Sequence, residues 1–145
     1  MPTLKPTLTL VSTLGTAGVS ENATLALSVT DELTVTDPTI GISKIACDVT
    51  GGNTIILPSL DVTRYVYIKN TGIDAADQAI AAGVTIKVET GDDTRIIDLA
   101  ADEFCFFPHH AEAAGLIQLE ANSLNADGSA SSGTVIAEYG YWTKG

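Results

Sequence analysis

Hydrophobic and polar residues alternate with a period of two along much of this chain, a pattern typical of strands that bury one face. The clearest run covers residues 84–89 (VTIKVE), in which the apolar side chains share one face and the polar side chains share the other. Branched and aromatic residues, which pack well on a pleated sheet, are frequent in such runs. The pattern therefore predicts an all-β chain, with further strands at residues 25–29, 33–35, 64–69, 117–121 and 135–142.

Runs of Gly, Asn and Asp separate the predicted strands. These residues tolerate positive φ or bond to their own backbone, so they favour turns. We expect residues 90–94 (TGDDT) to close a hairpin between the strand at 84–89 and one near 95–99. Short strands at regular spacing with such turns predict an antiparallel sandwich or barrel.

Helix is scarce in this sequence. Residues 74–82 (DAADQAIAA) are compatible with two turns of helix or with a loop. The run is shorter than the ~12–15 residues that make even an isolated helix marginal. Residues 123–133 are small and polar, which predicts a mobile surface loop.

The length of 145 residues fits a single domain, because domains are most often ~100–150 residues long. Residues 1–12 contain two prolines, and proline has no amide hydrogen for a sheet ladder. This segment is expected to be either an extended N-terminal arm that grips a partner or a frayed first edge strand. Residues 13–145 are then expected to form the β-sandwich domain.

The chain is strongly acidic, with 18 Asp and Glu against 7 Lys and Arg and a net charge of −11. Such a surface repels phosphate backbones and anionic lipid head groups. No apolar run approaches the ~20 residues that a membrane helix needs. We therefore expect no direct nucleic-acid partner and no membrane partner.

Few residues suggest catalytic or metal chemistry. Cys47 and Cys105 lie far apart, match no metal-ligand spacing, and are flanked by apolar residues that predict buried, unpaired thiols. His109 and His110 are adjacent, so on a strand they would face opposite sides and make a poor chelate. We expect them in a surface loop after Pro108. No catalytic residue, cofactor site or metal site is predicted, and the chain is not expected to be an enzyme.

Four carboxylates cluster near the predicted hairpin: Glu89, Asp92, Asp93 and Asp98. A pair of carboxylates can hydrolyse glycosidic bonds, and oxygen ligands suit hard cations. Acidic residues are also common in hairpin turns for conformational reasons. We interpret the cluster as turn chemistry.

Aromatic residues are concentrated in two runs. Residues 104–107 (FCFF) form an uninterrupted apolar run, which predicts a strand buried on both faces or at a subunit contact. We expect the phenylalanines in the core. In the second run, Tyr139 and Tyr141 share one side of a strand and Trp142 lies on the other. This second run suits either the core or an interface.

Three segments carry a family resemblance: residues 65–72 (YVYIKNTG), 102–108 (DEFCFFP) and 138–142 (EYGYW). They resemble segments of small virion structural proteins of tailed bacteriophages, in which a glycine is typical before the glutamate that here is Glu103. The resemblance covers roughly residues 60–142.

The resemblance implies a β-sandwich or jelly-roll subunit that acts as a capsid decoration, or cement, protein on the outside of the phage head. The chain would be made in the host cytoplasm, form a homotrimer, and brace the major capsid protein without cofactors. The expected partner contacts are in the N-terminal arm and the last strand: Pro2, Leu4, Lys5, Leu8, Tyr141 and Trp142.

Two other functions fit the same pattern. A tail, baseplate or head-fibre component would share the sandwich fold and the composition. A carbohydrate-binding module would present aromatic side chains to sugars, and Tyr65, Tyr67 and Trp142 would serve if one face exposed them.

Overall fold

The computed structural model of the chain describes residues 3–11, 26–37, 41–48, 53–58, 61–111, 115–122 and 133–145. These residues form an all-β, antiparallel sandwich with no helix. The strands are β1 (Thr3–Leu4), β2 (Thr7–Val11), β3 (Ala26–Thr30), β4 (Leu33–Asp37), β5 (Ser43–Asp48), β6 (Thr54–Leu57), β7 (Val62–Asn70), β8 (Thr85–Thr90), β9 (Arg95–Leu99), β10 (Phe104–Ala111), β11 (Ile117–Asn122) and β12 (Thr134–Lys144).

Strands β5 to β12 pair as a long hairpin that is rolled into two sheets. The first strand of this set pairs with the last, β6 pairs with β11, β7 with β10, and β8 with β9. The result is a first sheet with the order β5-β12-β7-β10 and a second sheet with the order β6-β11-β8-β9. This nested pairing is a jelly roll, which confirms the expected fold.

The N-terminal strands extend this unit. β4 pairs with the C-terminal end of β12, and β1 pairs with β4, so both belong to the first sheet. β2 and β3 form a separate two-stranded sheet. Within residues 1–12, for which an arm was one expectation, the described part is therefore mostly strand. Most of the loop predicted at residues 123–133 lies outside the described residues.

The core lies between the two sheets and takes mostly alternate residues from β5 to β12, as the period-two pattern predicts. Val66 and Ile68 of β7 and Val135 of β12 come from the first sheet, and each is at most 1% exposed. Ile86 and Leu119 of the second sheet are fully buried against them.

Buried Asn70 joins the two sheets at the end of β7. Its Nδ2 donates to the carbonyl of Leu99 in β9 at 3.0 Å, and its Oδ1 accepts from the amide of Gly72 at 2.9 Å. Asn70 is fully buried, so both polar ends of the amide are satisfied inside the protein. Gly72 has φ of 72°, a conformation that glycine adopts without steric cost.

The turns follow the sequence prediction with one refinement. Residues 90–94 close the β8–β9 hairpin as expected, with the Asp93 amide donating to the Thr90 carbonyl at 3.0 Å. The segment at 74–82 is a loop rather than a helix. There, the Asp74 side chain accepts the amides of Ala76 and Gln78 at 2.8 and 2.9 Å and so stabilises a turn.

Candidate docking surface

Five aromatic side chains lie together on the outer side of the first sheet, and we call this surface the aromatic face. The register explains their meeting: Gly140 of β12 and Phe106 of β10 flank Tyr67 of β7, while Trp142 flanks Tyr65. Side chains of one parity share a face of a strand. The aromatic face therefore consists of Tyr65, Tyr67, Phe104, Phe106 and Trp142.

The rings contact one another across three strands. Tyr65 and Phe106 are stacked, with centroids 6.0 Å apart and planes 9° from parallel. Phe106 also lies 6.5 Å from Trp142, and Phe104 lies 6.3 Å from Tyr67. These distances fall within the range of favourable aromatic pairs. The rings form two groups, one of Tyr65, Phe106 and Trp142 and one of Tyr67 and Phe104, which the register places side by side across β10, β7 and β12.

The surface is open at the β10 side. Phe104 is 59% exposed and Phe106 is 36% exposed, whereas Tyr65 beneath them is only 7% exposed. The prediction that these phenylalanines belong to the core is wrong for Phe104 and Phe106. Phe107 faces the other way and packs against the core. Although every residue of the run is apolar, its side chains alternate as in other strands, with one face of the strand buried and the other exposed.

Strand β10 is the edge of the first sheet in the described part of the chain. The Asn70 amide donates to the Glu103 carbonyl at 3.0 Å. The backbone N–H and C=O groups of odd-numbered residues in β10 therefore bond to β7, and those of even-numbered residues face the free edge of the sheet. Pro108 is even-numbered, and its missing N–H therefore costs no ladder bond. For this reason the strand continues through Pro108.

His109 and His110 accordingly lie in β10, and the prediction that they occupy a loop is wrong. They face opposite sides, as expected for strand neighbours. His109 Nε2 lies 2.7 Å from the Gly115 carbonyl oxygen. His110 Nδ1 lies 3.0 Å from Thr63 Oγ1. The two rings are thus engaged in separate local contacts.

A row of three charged residues, which we call the charged row, borders the aromatic face. It consists of the cross-strand neighbours Lys44 of β5, Glu138 of β12 and Lys69 of β7, and Lys69 is next to Phe104 of β10. Lys44 Nζ lies 3.5 Å from Glu138 Oε1.

Tyr67 of the aromatic face keeps its hydroxyl proton. Burial, and next the Glu138 carboxylate, raise the pKa of Tyr67. The Tyr67 hydroxyl consequently remains protonated and able to donate a hydrogen bond.

The outer side of the second sheet is polar by comparison. Lys87 and Glu120 are cross-strand neighbours there and form an ion pair of 2.7 Å. Gln118 on the same side donates to Asp93 at 2.8 Å. The exposed apolar residues of this side are Ile55 and Ile96, which lie on its two edge strands. Among the described residues of the two main sheets, the aromatic face is therefore the apolar surface that spans adjacent strands. A smaller exposed apolar pair, Leu8 and Val29, spans β2 and β3.

The carboxylates of the β8–β9 hairpin make hydrogen bonds within the protein. Asp92 accepts a hydrogen bond from Thr90 Oγ1, which lowers the pKa of its carboxyl. Asp93 accepts from Asn53 and Gln118 at 2.7 and 2.8 Å, so it bonds the hairpin to residues outside it, whereas Asp92 bonds within the turn. In the part of the chain that the structure describes, no three His, Cys, Asp or Glu side chains form a metal-binding group.

Both thiols are free. Burial raises the pKa of Cys47 to about 12. Burial also raises the pKa of Cys105 to about 11, against a backbone hydrogen bond at Ile68 that lowers it. Cys47 is fully buried, as predicted, whereas Cys105 is only partly buried. Both stay protonated near neutral pH and are weak nucleophiles.

The structure separates the predicted partner contacts. Leu4 is half-buried in β1, Lys5 pairs with Glu32 at 3.1 Å, and Leu8 is 46% exposed in β2. Tyr141 points inward, where the guanidinium of buried Arg64 lies 5.4 Å from its ring centroid. The other two contacts are Trp142, which belongs to the aromatic face, and Pro2, which lies outside the described residues.

Sequence reasoning missed Phe104 and Phe106 as exposed residues. Pro108 is compatible with a sheet edge, but the uniformly apolar run 104–107 carries no alternation that would assign its faces. Comparison of the chain with protein families, with curated protein sequences and with solved structures yields no match. No helix in the described ranges is long and apolar enough to cross a membrane.

Proposed function

We propose that this protein is a capsid decoration protein of a tailed bacteriophage, which acts by binding and not by catalysis. It occupies the outer head surface, as a homotrimer, and braces the major capsid protein. Resemblance in the segments 65–72, 102–108 and 138–142 supports the assignment to virions. The jelly roll is compatible with it, since viral capsid and lectin domains use this fold, although a fold alone does not imply a function.

The aromatic face is the observation that carries the proposal. Soluble proteins rarely leave a contiguous apolar patch uncovered without a partner for it. Tyr, Trp and Phe are also enriched at the centres of protein interfaces. On a capsid, each copy would contribute a modest contact, and repetition over the lattice would add through avidity.

Copy number is the first test. Purified particles of the phage that encodes this chain are quantified by mass spectrometry against the major capsid protein. A fixed simple ratio to the capsid lattice is expected. A few copies per particle would instead assign the chain to a tail, baseplate or head fibre, and absence from particles would overturn the virion proposal.

The docking surface is tested by variants that remove its exposed rings. Phe104→Ser combined with Phe106→Ser should reduce occupancy on particles that lack the wild-type protein by at least about tenfold, since central aromatic residues each contribute about 1–2 kcal/mol or more. Ile96→Ser is the matched control, because it removes an exposed apolar side chain from the other sheet. Equal occupancy of all three proteins would exclude the aromatic face as the docking surface.

Carbohydrate binding is a second candidate, and one observation favours it. Tyr65, Tyr67 and Trp142 do lie on the same face, which is part of the condition for a sugar platform; the other part, their exposure, is not met by Tyr65. Tyr65 is 7% exposed, so Phe104, Phe106 and Trp142 would form most of the contact. A glycan array probed with the labelled protein tests this function. Binding that is lost in the Phe104→Ser and Phe106→Ser double variant would support it.

A further inference from the structure

Lys69 has no counterion within the described part of the chain. Like Lys69, Arg64 and Lys144 form no ion pair with the described residues. Four other cations of the described part form ion pairs, namely Lys5 with Glu32, Lys44 with Glu138, Lys87 with Glu120 and Arg95 with Asp98. Lys69 instead lies between Glu138 and Phe104 in the charged row, and the Glu138 carboxylate is already shared with Lys44. The row thus contains two cations and one carboxylate.

This local excess of positive charge contrasts with the rest of the molecule. The chain carries a net charge of −11, yet the row beside the aromatic face sums to about +1, from two lysines and one glutamate. Charges more than about 8 Å away are screened at physiological ionic strength. Lys69 is therefore the cation that directly adjoins a ligand on Phe104; the Glu103 carboxylate, one residue before Phe104, already accepts a hydrogen bond from the Ala100 amide at 2.8 Å.

We infer that the aromatic face binds a protein segment that places an apolar or aromatic side chain against Phe104 and Phe106 and a carboxylate against Lys69. The inference rests on the proposed function in one respect: the partner is a protein. The carboxylate would complete an alternation of charge along the row, Lys44, Glu138, Lys69 and then the partner. Complementary charge of this kind sets register and specificity more than total affinity.

The charge argument selects among occupants. Two copies of this chain meeting through their aromatic faces would bring two rows of the same net charge, about +1, to one interface. A neutral glycan would leave Lys69 unpaired. An acidic and apolar peptide segment satisfies both the rings and the cation.

The test uses a random 12-residue peptide library, selected on the wild-type protein and on two variants. Lys69→Gln removes the unpaired cation. Arg95→Gln removes one positive charge from an exposed ion pair on the second sheet, and is the matched control. Wild-type protein should enrich peptides with Asp or Glu near aromatic or large apolar residues. Lys69→Gln should lower the affinity of a selected peptide by roughly three- to tenfold, and Arg95→Gln should leave it unchanged.

Four results would overturn the inference. The first three are peptides without acidic enrichment, equal affinity of the Lys69→Gln protein, and binding of a neutral glycan in place of any peptide. Self-association that the Phe104→Ser and Phe106→Ser double variant abolishes, detected by sedimentation, would also count against it, because the occupant would then be a second copy.

The inference and the proposed function can fail separately. Loss of peptide selectivity with normal occupancy on particles would reject the role of Lys69 and keep decoration. Absence from particles together with Lys69-dependent peptide binding would reject decoration and keep the acidic segment as ligand.

Discussion

The indole of Trp142 lies directly over the backbone of Gly140, two residues earlier on the same face of β12. A Cβ added at Gly140 would lie 3.2 Å from Cη2 of Trp142. This is closer than ordinary van der Waals contact, so the ring occupies the space that a side chain would take. Gly140 thereby allows Trp142 to join the aromatic face instead of standing away from the sheet.

Gly140→Ala should tilt the indole outward. Trp142 is the single tryptophan of the chain, so its fluorescence emission reports the change directly. We expect a shift to longer wavelength. The free energy of unfolding should change by less than about 1 kcal/mol, because the lost packing is offset by the smaller entropy of the unfolded chain. Gly133→Ala is the control, since nothing lies within 4 Å of a Cβ there; equal spectra for the two variants would contradict the contact.

Asn70→Ala should be one of the most destabilising single changes. It removes a fully buried amide and leaves the Leu99 carbonyl and the Gly72 amide without their partner. We expect a loss of roughly 2–4 kcal/mol in the free energy of unfolding, measured in urea. Asn53→Ala, which removes an exposed hydrogen bond to Asp93, should cost less than about 1 kcal/mol. Similar losses at both positions would show that Asn70 does not tie the sheets together.

Phe104 and Phe107 test the assignment of faces in β10. Phe107→Ala removes a ring that packs against the core and should cost roughly 2–3 kcal/mol. Phe104→Ala removes a ring that is 59% exposed and should cost less than about 1 kcal/mol. Thermal unfolding of the two proteins provides the comparison. The opposite order would mean that the strand register is wrong.

Asp102→Gly should stabilise the protein. Asp102 has φ of 66° in the turn that the Glu103 amide closes by donating to the Ala100 carbonyl at 3.0 Å. An aspartate pays a steric cost in this conformation, whereas glycine pays mainly a smaller entropic one. We expect a gain of roughly 0.5–1 kcal/mol in chemical unfolding. A loss would indicate that the Asp102 side chain contributes more than its backbone conformation costs.

Glu89→Gln should stabilise the protein near neutral pH and not in acid. Burial, and next the Glu120 carboxylate, raise the pKa of Glu89 in the folded state. A group with a raised folded pKa contributes its stability below the unfolded pKa and loses it as the pH rises through the folded value. Glutamine does not ionise, so the variant keeps this stability as the pH rises. Its advantage in free energy of unfolding should therefore be present at about pH 7 and absent at about pH 3.5; an advantage that does not change with pH would refute the cause.

Asp102 stands where the resemblance leads us to expect a glycine, and its φ is positive. The Ala100–Glu103 turn places such a conformation at its third residue, where glycine is favoured. The sequence indicated the departure from the pattern, and the tertiary structure shows what the departure costs.

Much of the local structure could be read from the sequence, because strand alternation and turn chemistry act between neighbours. The 84–89 run, the 90–94 hairpin, and the opposite orientations of Tyr141 and Trp142 follow from a period of two and from Gly, Asn and Asp. Where every residue is apolar, as in the run Phe104–Phe107, alternation carries no signal. The faces of that strand could not be assigned from its own residues.

By itself, the sequence determined that this chain is an acidic β protein and where most of its strands and turns lie. Only the tertiary structure decided that β10 is an edge, that Pro108 costs it no ladder bond, and that Phe104, Phe106, Tyr67 and Trp142 meet. Those facts depend on the pairing of β7 with β10 and with β12, in which partner residues lie up to about 80 residues apart. Such pairing is selected by burial of the whole core and not by any local preference.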